Sequence, residues 1–119
     1  MEYQTITLDI AGDIAVLTLD RADRMNALNT LMRAEIADAA QVAAKSARVL
    51  VLTGAGRAFC SGQDLSDRAN AGNMDMERTL RDEYLPMLRA IYDCPIPTIS
   101  AVNGAAAGAG ANLALAAMW

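Results

Sequence analysis

Two glycine-bearing segments, Gly54-Ala-Gly-Arg-Ala-Phe-Cys-Ser-Gly-Gln-Asp-Leu65 and Ala101-Val-Asn-Gly-Ala-Ala-Ala-Gly-Ala-Gly-Ala-Asn112, each directly follow a short apolar run. Each reads as a strand feeding a turn lined by main chain rather than by side chains. Brought together by folding, two such turns could aim a pair of backbone N–H groups at one oxygen, which is how an oxyanion or enolate is stabilised. The backbone would then be the main chemical device. Gly54-x-Gly56 lacks the third glycine of a dinucleotide fingerprint and the Gly-Lys-Ser/Thr of a phosphate loop, so nucleotide binding by those routes is disfavoured.

The rest of the composition narrows the chemistry. The 119 residues contain no histidine, which excludes a histidine-dependent triad, a histidine general base and a histidine-bearing zinc site within this chain. Acid/base work falls to carboxylates. A net charge of −4 and the lack of any basic run argue against a nucleic-acid surface. Cys60 and Cys94 lie in apolar contexts without CxxC spacing, and no secretory signal precedes them, so reduced, packed thiols in a cytoplasmic protein are expected. No charged residue occurs from Cys94 to Trp119, but Pro95, Pro97, Asn103 and Asn112 interrupt that stretch, and a packed core helix explains its small residues better than a membrane span.

The elements that must position the two turns follow from periodicity. Tyr3–Asp9 and Asp13–Leu19 read as a hairpin around Ala11-Gly12. Leu28, Met32, Ile36, Ala39, Ala40 and Ala43 fall on one helical stripe, which Asn29 or Thr30 can cap. Arg48–Thr53 is too short for a helix and predicts a buried parallel strand reached by a crossover. Ser66–Asn73 is small and polar and reads as a loop, followed by a second amphipathic helix through Met76, Leu80, Tyr84, Met87, Leu88 and Ile91, kinked near Pro86. Thr98–Val102 reads as a further strand and Ala109–Ala117 as a buried helix. Strand, helix, strand implies α/β architecture in one domain, with 54% hydrophobic residues ample for a core.

In their order and spacing, Leu52–Arg68 and Ala101–Leu115 resemble the crotonase superfamily, the enoyl-CoA hydratase/isomerase fold, and most of all its ring-epoxide (1,2-epoxyphenylacetyl-CoA) isomerases of phenylacetate degradation. The resemblance runs over residues 1–119 and covers the N-terminal part of the family's longer chain. It implies a crotonase-like ββα spiral, short of the C-terminal helical region, that binds an acyl-CoA thioester. Coenzyme A would be part of the substrate rather than a separate cofactor. No metal, nucleic acid or membrane is implied, and trimers or dimers of trimers would belong to the full-length chain only.

Residue by residue, the resemblance places the oxyanion-hole N–H groups on Gln63 and Ala109. Gly62, Leu65, Gly108 and Gly110 fall at the thioester, with the glycines allowing close approach. Asp64 falls in the same region and is read as a cap of the following turn or helix before a catalytic group. Arg24 falls near the nucleotide phosphates and Ala27 offers backbone contacts, although a surface arginine is usually a solvated charge. Hydratases of the family carry a glutamate where Asn112 stands, and an amide is no general base at neutral pH, so the expectation is an isomerase. Enoyl-CoA hydratase, or a catalytically silent fragment that at most binds acyl-CoA, are the alternatives. The isomerases' acidic residue and the helices that build the oligomer would follow Trp119, and Ala116–Trp119 would replace the continuation toward another strand.

Overall fold

A computed structural model describes residues 2–65 and 76–119. The loop expected over Ser66–Asn73 lies outside the described residues. Four strands form the main sheet in the order β1-β2-β3-β5: β1 is Ile6–Ala11, β2 Ile14–Leu19, β3 Val49–Gly54 and β5 Thr98–Ser100. β1 and β2 make the expected antiparallel hairpin, while β2–β3 and β3–β5 are parallel. Parallel neighbours need crossovers. The first is the helix α1, Thr30–Ser46, and the second runs through Met76–Tyr92.

The hairpin begins at Ile6 rather than Tyr3 because the preceding backbone is committed elsewhere. The amides of Gln4 and Thr5 donate to the Glu35 carboxylate of α1 at 2.9 and 2.8 Å, and the Tyr3 hydroxyl donates to Asp38 at 2.8 Å. Burial, then the Asp38 bond and the Asp38 and Glu35 charges, push the Tyr3 phenol up to about 12. The folded phenol thus holds its proton more tightly than the unfolded one near 10, so its stabilisation is whole below that pH and is lost as pH rises toward 12. Thermal unfolding of Tyr3→Phe should accordingly depend less on pH than that of the native chain across this alkaline window. Equal slopes would remove the assignment.

Asn29 caps α1, accepting from the Met32 amide at 2.8 Å through Oδ1. The predicted stripe is buried from Met32 onward, Met32, Ile36, Ala39, Ala40 and Ala43 facing Ala15, Leu17, Leu19, Leu50 and Leu52 on one side of the sheet, whereas Leu28, read as its first member, precedes the helix and bridges Gln63 instead. The strand at Arg48–Thr53 was expected to be buried. Instead Leu50 and Leu52 are buried while Val49, Val51 and Thr53 are only half-buried, because helices cover a single face among the described residues.

The second crossover has three consecutive parts: α2, Met76–Thr79, a π-helical turn over Leu80–Tyr84, and α3, Leu85–Tyr92. The accommodation expected at Pro86 is therefore a widened turn just before it, in which the Leu85 amide donates to the Leu80 carbonyl five residues back. A proline has no N–H and its ring crowds the carbonyl four residues earlier, and a π turn relieves both. α3 ends at Tyr92, ahead of Pro95 and Pro97 as expected, and buries Met87 and Ile91 against the core.

Two short strands escaped the sequence reading, β4 at Ala58–Cys60 and β6 at Ala105–Ala106. They pair in parallel as a separate small sheet and join the two glycine segments directly. The last helix, α4, is Ala109–Ala116, and the expectation that it is buried is corrected. Only Gly110 and Leu113 are buried, while Leu115 is 81% exposed, since the described residues cover one side of it alone. Beyond α4 the Trp119 amide donates to Thr98 at 3.1 Å and the Ser100 amide donates to the Trp119 carbonyl at 2.7 Å. That is parallel pairing on the outer edge of β5, so Ala116–Trp119 leads back to the sheet, where the expectation was that it replaces the continuation toward another strand.

Candidate active site

The two glycine segments meet. Gly62 has φ +108, a conformation favouring glycine, and a Cβ there would sit 3.0 Å from the Ala107 carbonyl oxygen and 3.7 Å from the Ala109 nitrogen. Gly110 lies closer still to the first segment, its would-be Cβ falling 2.2 Å from the Cys60 carbonyl oxygen. The bareness of Gly110 therefore serves the contact between the two segments. Gly108 differs: nothing crowds it, and its φ of 54 with ψ of −125 is what turns the chain into α4.

Gln63 is held by a parallel bridge to Leu28. The Leu28 amide donates to the Gly62 carbonyl at 2.7 Å and the Asp64 amide donates to the Leu28 carbonyl at 2.9 Å. In that pattern the peptide groups on either side of Gln63 face Leu28, so the N–H and carbonyl of Gln63 itself turn away from it. Ala109 is the first residue of α4, and a first-turn amide has no intrahelical carbonyl to bond. A cavity of about 470 Å3 is lined by Ser61, Gly62, Gln63, Leu65, Met76, Leu80, Tyr84, Leu88, Gly108, Ala109 and Asn112. The site residues expected at Gly62, Gln63, Leu65, Gly108 and Ala109 thus share one concavity, with Asn112 beside them.

Four expected residues are not in its lining. Gly110 is buried behind it against Cys60. Arg24 is exposed at the end of a single 3-10 turn, Ala22–Arg24, and Ala27 is buried with its amide bonded to the Arg24 carbonyl. Asp64 is buried and ion-paired, its Oδ2 2.8 Å from Nη2 of Arg21. Arg21 also donates through Nη1 to the Ala27 carbonyl, so this pair ties the 21–28 segment to the first glycine turn.

Sequence reasoning missed two side chains that build the site. Asn26, fully buried at φ +56, donates through Nδ2 to the carbonyls of Ala55, Ala58 and Phe59 and accepts the Arg21 amide through Oδ1 at 2.8 Å. Asn103 does the corresponding work between the glycine segments, accepting the Gly54 amide at 3.0 Å and donating to the carbonyls of Gly56 and Ala58. An asparagine after a 3-10 turn was the available signal for Asn26, since asparagine tolerates positive φ. Asn26→Ala should destabilise the chain by about 3 kcal/mol through unsatisfied buried groups and a strained φ. A urea midpoint within error of the native one would contradict this.

Burial pushes the Cys60 thiol up, outweighing the Gly62 backbone hydrogen bond that opposes it. Cys94 is only half-buried. A maleimide reagent should therefore label Cys94 first, and Cys60 only when the chain unfolds; comparable labelling rates in the native state would be incompatible with this packing.

No helix among the described residues is long and apolar enough to cross a membrane. The sequence pattern of the Enoyl-CoA hydratase/isomerase family matches residues 9–118. A Rhodobacter capsulatus protein named "Probable enoyl-CoA hydratase" is 60% identical over 117 residues, covering 98% of this chain and 45% of that protein. The 1,2-epoxyphenylacetyl-CoA isomerase of Escherichia coli is 43% identical over 120 residues, covering 97% of this chain and 45% of that enzyme. Among solved structures, an enoyl-CoA hydratase/isomerase from Xanthobacter autotrophicus Py2 is similar with a TM-score of 0.91 at 33% identity, covering 98% of this chain and 45% of that one. The chain thus spans a little under half the length of these relatives, and it belongs to the enoyl-CoA hydratase/isomerase family, the crotonase superfamily, with that family's mixed α/β fold.

Proposed function

We propose that the chain binds an acyl-CoA thioester with its carbonyl oxygen between the backbone N–H groups of Gln63 and Ala109, and that it acts within an isomerase of acyl-CoA substrates of the phenylacetyl-CoA type. The observation that carries this reading is the contact of the two turns at Gly62 and Ala109 on the wall of one cavity. Two donors at one oxygen stabilise the enolate formed when a proton leaves the carbon beside the carbonyl. The amide at the head of α4 adds the positive end of a helix dipole to the same oxygen. Leu65, Met76, Leu80 and Leu88 give the acyl group an apolar wall.

Asn112 favours isomerisation over hydration, since it lines the cavity and offers no carboxylate to activate water. The likeness to the Escherichia coli isomerase supports the same choice. Enoyl-CoA hydratase is the second reading, supported by the name of the Rhodobacter relative. Coenzyme A enters as part of the substrate, and the exposure of Arg24 leaves its guanidinium available to the phosphates. Calorimetric titration of the folded chain with acetyl-CoA and phenylacetyl-CoA tests the proposal, with tighter binding of the aromatic thioester expected. A folded chain that binds neither would defeat it.

A further inference from the structure

Arg33 is 2% exposed, a burial that a guanidinium tolerates only when its donors are satisfied. It lies on the first turn of α1, facing the site rather than solvent. Nη1 donates to the Leu28 carbonyl at 2.9 Å and to the Tyr84 hydroxyl at 3.1 Å. Nη2 bonds Glu83 at 2.6 Å and Thr30 at 3.2 Å, and Nε bonds Glu83 at 3.1 Å. The guanidinium carbon also stands 4.5 Å from the centre of the Tyr84 ring.

These partners belong to two parts of the candidate site. The Leu28 carbonyl is the acceptor for the Asp64 amide, one half of the bridge that orients the Gln63 peptide. Tyr84 is a wall of the cavity in which Gln63 and Ala109 meet. One rigid fork therefore fixes both the bridged segment at Leu28 that aims the first amide and the ring that bounds the acyl space. Arg21 holds the neighbouring carbonyl, Ala27, and the Asp64 carboxylate from the other side.

We infer that Arg33 is a positioning residue for the oxyanion hole, setting the direction of the Gln63 N–H through Leu28 and coupling it to the Tyr84 wall. The functional meaning rests on the thioester reading above, while the positioning itself is measurable without any thioester. Nitrogen-15 spectra of the native chain, Arg33→Met and Arg33→Lys should show the Gln63 and Asp64 amide resonances displaced in both variants, with Ala109 unmoved. Lysine keeps a charge for Glu83 but lacks the fork that reaches Leu28 and Tyr84 together, and it serves as the test if the methionine variant fails to fold. Ile36→Ala, a core truncation on the same helix, is the control for general loosening and should leave Gln63 in place. With phenylacetyl-CoA added, the variants should bind about tenfold more weakly and show a less polarised thioester carbonyl in the infrared, as expected for one misaligned donor. A folded Arg33 variant with an unmoved Gln63 amide, or an Ile36→Ala that moves it equally, would overturn the inference. Failure of the native chain to bind the thioester, with the resonances displaced as stated, would instead remove only the proposed function.

Discussion

Ala109→Pro should leave the fold intact and weaken the proposed chemistry more than any other single change at the site. Proline is favoured at the first position of a helix, where the N–H it lacks has no intrahelical partner, and Ala109 occupies that position in α4. The substitution therefore deletes one donor while keeping the helix. Loss of one oxyanion-hole donor costs a rate factor of about 10²–10³, and loss of its hydrogen bond to a bound thioester costs about tenfold in affinity. The paired measurements are the circular dichroism melt and the phenylacetyl-CoA dissociation constant of native and variant chains. An unchanged melt with an unchanged dissociation constant would show that the Ala109 amide does not face the thioester. Ala109→Ser, which retains the N–H, should behave like the native chain.

Gly110→Ala should have the opposite profile, a large loss of stability that carries function with it. A methyl group on Gly110 would lie 2.2 Å from the Cys60 carbonyl oxygen and 2.8 Å from both its carbonyl carbon and its Cβ. These are mostly backbone atoms of β4, the strand that pairs with β6. No rotamer change relieves the overlap, so α4 must part from the first glycine segment. A destabilisation of about 3 kcal/mol or more is expected, beyond the usual range for overpacking because backbone has to move. Denaturant unfolding gives the answer, and a variant within 1 kcal/mol of the native chain would mean that α4 sits farther from Cys60 than described. Ala109→Pro and Gly110→Ala, at adjacent positions, thus separate a donor from a spacer.

The sequence carried the parts of this fold that repeat. The hairpin and most of the α1 stripe were legible because strand and helix periods place apolar residues on one face, and the cap was legible as Asn29 or Thr30, of which the structure uses Asn29. The two glycine segments were legible because close backbone approach leaves glycine as its mark. What stayed hidden depends on partners far along the chain. Asn26 is defined by carbonyls about thirty residues away, and Arg33 by Glu83 and Tyr84 fifty residues away. Their letters carry no local period. β4 and β6 are too short to show one. The half-open faces of β3 and α4 were misread because an apolar run specifies affinity for cover without saying which neighbour supplies it.

The widened turn at Leu80–Tyr84 has a consequence for how such a cavity can be altered. A π turn holds one residue more than an α turn spanning the same height, so it behaves as an insertion absorbed into a helix. Deleting an exposed residue within it, such as Asp82, would remove that insertion and leave a regular helix whose two flanks keep their facing. Met87 and Ile91 would keep their seats in the core and Met76 and Leu80 theirs in the cavity wall, while the Pro86 ring would crowd the carbonyl four residues earlier. The extra residue therefore serves the proline rather than the size of the acyl space, and a deletion there is expected to cost stability before it changes the cavity.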